Sequence, residues 1–125
     1  MLYLIVFLGA GIGGALRHGV NVGAARFFGY GFPLGTFIVN VSGSLAIGLL
    51  AGYFAYRTGV SQHMKLFITT GILGGFTTFS AFGVETQSLL RDDRLGAAAA
   101  YVALSVVVGV AAAYVGTTLG RALVD

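Results

Sequence analysis

Four long apolar stretches, at about 2–28, 34–56, 64–90 and 95–123, leave this chain of 125 residues few folds to choose from. A helix crossing a hydrocarbon core of about 30 Å needs about 20 mainly apolar residues, and each stretch supplies them. Lipid cannot hydrogen-bond an open strand edge or an irregular loop, so α-helix is the spanning form these segments can take. Composition points the same way. Only 9% of the residues are charged, against roughly 25% in soluble domains, and a water-exposed surface built from this chain would be one sticky patch. The expectation is an all-α membrane protein with a single transmembrane domain, residues 1–125, multi-pass in a cell (inner or plasma) membrane and in contact with the lipid bilayer.

Short polar punctuation separates the spans. Gly29-Tyr30-Gly31-Phe32-Pro33 reads as a turn, because Gly and Pro together break helices. The 57–63 loop and the charged Arg91-Asp92-Asp93-Arg94 stretch divide the rest. The first stretch starts without a basic region and no polar mature protein follows it, so it is read as a retained span. No second domain or linker is expected.

Several chemistries are excluded. There is no cysteine, hence no disulfide framework or thiolate metal site. The net charge of +3 includes no Lys/Arg run, so a nucleic-acid partner is not expected. Leu4-Ile5-Val6-Phe7-Leu8 followed by Gly9-Ala10-Gly11-Ile12-Gly13-Gly14 fits a dinucleotide fingerprint. That motif also wants an acidic residue about 20 positions later. The first acidic residue is Glu85, and no alternation of strands and helices follows. No catalytic constellation is expected, and the chain is not read as an enzyme.

Lys and Arg near span ends normally fix orientation. The face with both termini and the 57–65 loop holds Arg57, Lys65 and Arg121; the opposite face holds Arg26, Arg91 and Arg94. The two sides balance. A balanced chain can insert either way up, and opposite orientations can pair around a two-fold axis in the membrane plane. Four short spans are also few to enclose a pathway alone, which independently favours a dimer, and with the charge balance the expectation is a dual-topology antiparallel homodimer. Glycine pairs at Gly9/Gly13, Gly19/Gly23, Gly48/Gly52, Gly71/Gly75 and Gly116/Gly120 have the spacing that lets membrane helices approach closely.

Polar residues inside spans are costly and therefore candidates for function. Arg17 and Asn21 share one face of the first span, where a cation can attract an anion or hold a carbonyl, or where a structural Arg can snorkel to the interface. His18 faces elsewhere and has no second metal ligand at the right spacing. Asn40, in the second span with Thr36 and Ser44, offers two amide donors, which suits an anion losing water, although interhelical hydrogen bonding is by itself the better reading of an Asn there. The third span carries Gly74-Gly75 and then Thr77, Thr78 and Ser80 at mid-membrane. Paired glycine disfavours continuous helix there, and hydroxyls can satisfy the backbone groups that a break releases. Freed carbonyls suit a hard cation such as Na⁺, and N–H groups at the next half-helix favour anions. Phe79 and Phe82 share a face beyond the break, and aromatic edges are positive, although a Phe pair is more often simple packing. Glu85 continues that face toward the 91–94 loop, a place for a vestibule. Tyr101 and Ser105, one turn apart in the fourth span, can add hydroxyls to the same pathway.

Gly35-Thr36-Phe37-Ile38-Val39-Asn40-Val41-Ser42-Gly43 and the 71–82 segment resemble the signature segments of the Fluc/CrcB fluoride channels, and Gly13-Gly14-Ala15-Leu16-Arg17 is similar to their first helix. The resemblance covers the whole chain in length, span number and motif order. It implies a fluoride-selective channel that exports fluoride from the cytoplasm by passive electrodiffusion and lowers its toxicity. It also implies an antiparallel homodimer with two pores and a structural Na⁺ at the interface. By matching position, the Gly74 and Thr77 carbonyls would bind Na⁺, Phe79 and Phe82 would line the pore with Asn40 as amide donor, and Thr78, Ser80, Tyr101 and Ser105 would form its polar track. Arg17 and Glu85 remain vestibule or structural charges. Ala81 and His18 depart from the family pattern, the first where a hydroxyl is common and the second where an aromatic is. The alternative weighed is a small multidrug-type transporter, also a four-span dual-topology dimer. That mechanism wants a carboxylate deep in the first span, and this chain has none there.

Overall fold

The computed structural model describes residues 1–125 and is all-helical. Helix α1 covers Leu2–Phe28 and α2 covers Leu34–Tyr56. The third span is composite: α3 (Gln62–Leu66), a π-helical segment (Phe67–Leu73), α4 (Gly74–Phe76), a non-helical step at 77–79, and α5 (Ser80–Arg91). Helix α6 covers Leu95–Val124. Four helical stretches are thus long and apolar enough to cross a membrane, the third being bent. The spans agree with the sequence boundaries to within two residues at each end, because the hydrocarbon thickness sets their length. The third starts slightly early since the Ser61 hydroxyl accepts the Met64 N–H at 3.1 Å, a side-chain cap for an exposed donor.

Packing follows the glycines. Helix α1 lies along the π segment and α4, and α2 runs beside α6 in the same direction. A methyl group on Gly13 would collide with the Ile72 carbonyl, and one on Gly75 with the backbone of Ala10. On the other seam, Gly48 and Gly52 face the carbonyls of Ala113 and Thr117, while Gly116 and Gly120 face those of Leu45 and Leu49. Backbone therefore touches backbone, the contact on which helix association in lipid depends where no hydrophobic drive exists between helices. The pair Gly19/Gly23 departs from expectation, with nothing within 4 Å of either position. Few side chains are fully enclosed. Val39 and Tyr101 are 0% exposed and Thr36 is 3% exposed.

The break also sits differently from the sequence expectation. Gly74 and Gly75 are helical, and the chain leaves the helix at Thr77, which is extended at φ −87°, ψ 157°. Close packing explains Gly75, whose Cα hydrogens meet Ala10. Just upstream, the Gly74 N–H donates to the Thr69 carbonyl, five residues back, and to Gly71. Such a widened turn is frequent near functional sites.

Candidate functional site

The site is the backbone at 74–82 and the side chains that hold it. An α-helix leaves unpaired carbonyls at its end and unpaired N–H groups at the next start. Each released group here can be traced. Thr77 N–H returns to Leu73 O at 3.1 Å, and the Thr77 hydroxyl reaches the same oxygen. The Gly75 carbonyl accepts from Arg17 Nε at 3.1 Å. Thr78 is gripped at both ends by Asn40, whose Nδ2 donates to Thr78 O at 2.8 Å and whose Oδ1 accepts Thr78 N–H at 2.8 Å. Only one orientation of the amide satisfies both bonds, so the network fixes it, and one Nδ2–H is left without a protein acceptor. Thr78 Oγ1 accepts the Ala81 N–H at 3.2 Å and lies 3.3 Å from Ser80 Oγ.

The remaining groups are unpaired, and they sort by sign. The carbonyls of Gly74, Phe76 and Thr77 accept no hydrogen bond, and the N–H groups of Phe79, Ser80 and Phe82 donate none within the chain. Oxygen ligands thus precede Thr78 and N–H donors follow it. An open groove of about 300 Å³ beside the break is lined by Asn40, Ser44, Gly74, Thr77, Thr78 and Phe79 among others. All of its polar groups are neutral.

Beyond the break the aromatics form a chain. Phe79 and Phe82 have ring centroids 5.7 Å apart, and Phe82 lies 5.0 Å from Tyr101, which in turn meets Phe32 at 5.4 Å and 83°. The two Phe residues are unlike each other. Phe79 is 83% exposed, whereas Phe82 packs on the small core of Leu89, Ala98 and Tyr101. Next to them, Glu85 is anchored by the Thr36 hydroxyl, which donates to Oε1 at 2.6 Å, and by the Tyr101 hydroxyl, which donates to Oε2 at 3.3 Å. No cation is needed to hold this carboxylate. One turn further along α6, Ser105 Oγ is enclosed and without a partner. Glu85 also lines a cleft of about 350 Å³ with Asn21, Thr36, Ser88, Asp92 and Arg94.

The structure therefore gathers Asn40, Thr77, Thr78, Ser80, Gly74 and Phe79 around the break, and Phe82, Glu85 and Tyr101 in one adjoining cluster. Arg17 joins from the upstream side through the Gly75 carbonyl, so of the readings open to it in the sequence the structure shows the carbonyl contact. Arg17 and Glu85 stand on opposite sides of the break. Sequence reasoning noted Thr36 only as a polar residue; its bond to Glu85 spans 49 positions. The usable signal was its spacing, since Thr36, Asn40 and Ser44 recur every four residues and make one stripe.

Comparison with known proteins adds an independent line. A family model described as "CrcB-like protein, Camphor Resistance (CrcB)" matches residues 4–117. The chain is 50% identical over 123 residues to a "Fluoride-specific ion channel FluC" of Rhodopseudomonas palustris (strain BisB5), covering 98% of this chain and 99% of that one. It is 59% identical over 108 residues to the protein of that name from Methylobacterium nodulans, 86% of each chain. The corresponding protein of Hyphomonas neptunium is 48% identical over 120 residues, 95% of this chain and 94% of that one.

Proposed function

Because the chain belongs to the CrcB family of multi-pass membrane proteins, we propose that it is a fluoride-selective channel that lets fluoride leave the cytoplasm down its electrochemical gradient. One observation carries the reading: the broken third span presents unpaired N–H groups at Phe79, Ser80 and Phe82 directly beside the Phe79–Phe82 pair. A small anion entering there trades water for N–H donors and positive ring edges, with the free Nδ2–H of Asn40 close by on Thr78. The N–H donors themselves are neutral and held in place by the backbone. The hydroxyls of Thr78, Ser80, Tyr101 and Ser105 continue the polar lining, and the partnerless Ser105 hydroxyl is free to donate.

The working unit in this reading is an antiparallel homodimer of dual topology. Three cations on each membrane face support it. So does the groove at 74–79, which a single chain leaves open. The unpaired carbonyls of Gly74 and Thr77 fit a hard monovalent cation, since neutral oxygens are what such ions take. Na⁺ bound there by both copies would supply a fixed positive charge at their junction.

The test is fluoride efflux from liposomes holding the purified protein, with chloride as the control anion. Fluoride flux far above chloride flux is expected, and it should be lost in Phe79→Ile and Phe82→Ile. Equal flux of the two anions would overturn the reading. For the topology, cysteines placed in the 91–94 loop should label from both sides of intact cells; labelling from one side alone refutes it.

A further inference from the structure

We propose that the face carrying Arg57, Lys65 and Arg121 is a binding surface for the phosphate of anionic phospholipid headgroups. The case rests on what these cations do not touch. On the opposite face, Arg94 donates to the Gly31 carbonyl and Arg91 reaches Ser88 Oγ at 3.5 Å, with Asp92 and Asp93 between them in sequence, and Arg26 alone has no protein acceptor. Within the membrane, Arg17 donates to Gly75 O. Arg57, Lys65 and Arg121 donate to no protein acceptor, and Asp125 is the one carboxylate side chain on their face of the chain.

Two of the three are nevertheless held in place. The Arg121 guanidinium lies over the Tyr56 ring at 4.8 Å, and Lys65 Nζ lies 5.7 Å from the centre of Phe54. An aromatic face orients a cation without using any of its N–H donors. Arg121 is in the last turn of α6, Lys65 is in the first turns of the third span, and Arg57 caps α2. All three therefore stand at helix ends, where Tyr and basic side chains settle at the level of lipid headgroups. Tyr53, beside Phe54 at 5.9 Å, extends this aromatic layer.

An ammonium with three free donors and two guanidinium forks at that depth need an acceptor. The anion always present there is lipid phosphate, and Arg pairs with it in bidentate fashion. Each such basic residue near a membrane surface draws anionic lipid by an amount comparable with its neighbours, so the three act together. The formal charge differs between the faces in the same sense. Arg57, Lys65 and Arg121 against Asp125 leave +2, whereas Arg26, Arg91 and Arg94 against Asp92 and Asp93 leave +1.

The experiment is native mass spectrometry of the delipidated protein titrated with phosphatidylglycerol or phosphatidylcholine. The wild type should retain phosphatidylglycerol at least three times as often as phosphatidylcholine. The triple variant Arg57→Gln/Lys65→Gln/Arg121→Gln should lose that preference, while Arg91→Gln on the opposite face keeps it. Equal retention of the two lipids by the wild type, or an unchanged preference in the triple variant, overturns the proposal. If the triple variant fails to fold, the single variants Lys65→Gln and Arg121→Gln decide it: each should lower the preference, and no change in both refutes it. No step of this assay reads fluoride, so its outcome is separate from that of the channel reading.

Discussion

Replacing Asn40 by Ala is the sharpest probe of how the broken span is held. The substitution removes both bonds to Thr78 and leaves a backbone N–H and a carbonyl without partners inside the bundle. Interhelical side-chain hydrogen bonds in membrane proteins average only about 0.6 kcal/mol each, which sets a floor near 1.2 kcal/mol for two. An unsatisfied buried polar group costs about 1–3 kcal/mol, which sets a higher ceiling. Thr78 is half-buried, so the lower half of that range applies, giving about 2 kcal/mol, or roughly a 30-fold shift against the held conformation. Two measurements check it: unfolding free energy in detergent, and fluoride efflux from liposomes at matched protein. Asn40→Ala should lower the first by about 2 kcal/mol and cut the second at least tenfold. Wild-type stability with lost flux would mean that Asn40 acts on the ion and not on the backbone. Wild-type values for both would refute the reasoning outright.

Three further outcomes follow from the packing. Gly13→Ala drives a methyl group into the Ile72 carbonyl and should destabilise by about 1–3 kcal/mol, whereas Gly19→Ala, with open space around it, should change unfolding by less than about 0.5 kcal/mol. Thr36→Val removes the shorter of the two hydroxyl bonds to Glu85 and should cost about 1.5–3 kcal/mol; Tyr101→Phe, which removes the 3.3 Å bond, should cost less, and the reverse order in thermal unfolding would contradict the geometry. Phe82→Ala opens a cavity beside Tyr101 and should cost about 2 kcal/mol or more, while Phe79→Ala, largely exposed in one chain, should leave the unfolding of a single chain nearly unchanged; the proposed pore role predicts that both nevertheless lose fluoride flux.

How much of this could be read from the residues depends on the range of the forces involved. The spans were legible because hydrocarbon thickness imposes a length on any helix that crosses it. Four of the five glycine pairs marked real seams, since a missing side chain is visible in sequence and backbone contact requires it. The break was anticipated two to three residues early. Gly74-Gly75 drew attention as a weak point of helix, yet Gly75 is glycine because Ala10 presses on it, and the helix ends at Thr77. The π segment was not legible at all: a widened turn needs one extra residue and no special composition. Long-range polar partnerships were equally hidden. Interhelical hydrogen bonding, the better reading of Asn40 from its residue type, is what the structure shows, but its partner Thr78 lies 38 positions away, and nothing in the local pattern of either residue names the other.

The seams also set an order on how the chain can be made. Helix α1 seals against residues 67–76, and α2 against 109–120, so neither of the first two spans packs mainly on its neighbour in sequence. A ribosome delivers α2 to the membrane long before its partner exists. Its glycine face must then lie open to lipid through the synthesis of the entire third span, and the bundle closes only when the last helix arrives. A chain lacking the last span would leave the α2 glycine face as a bare backbone groove toward lipid.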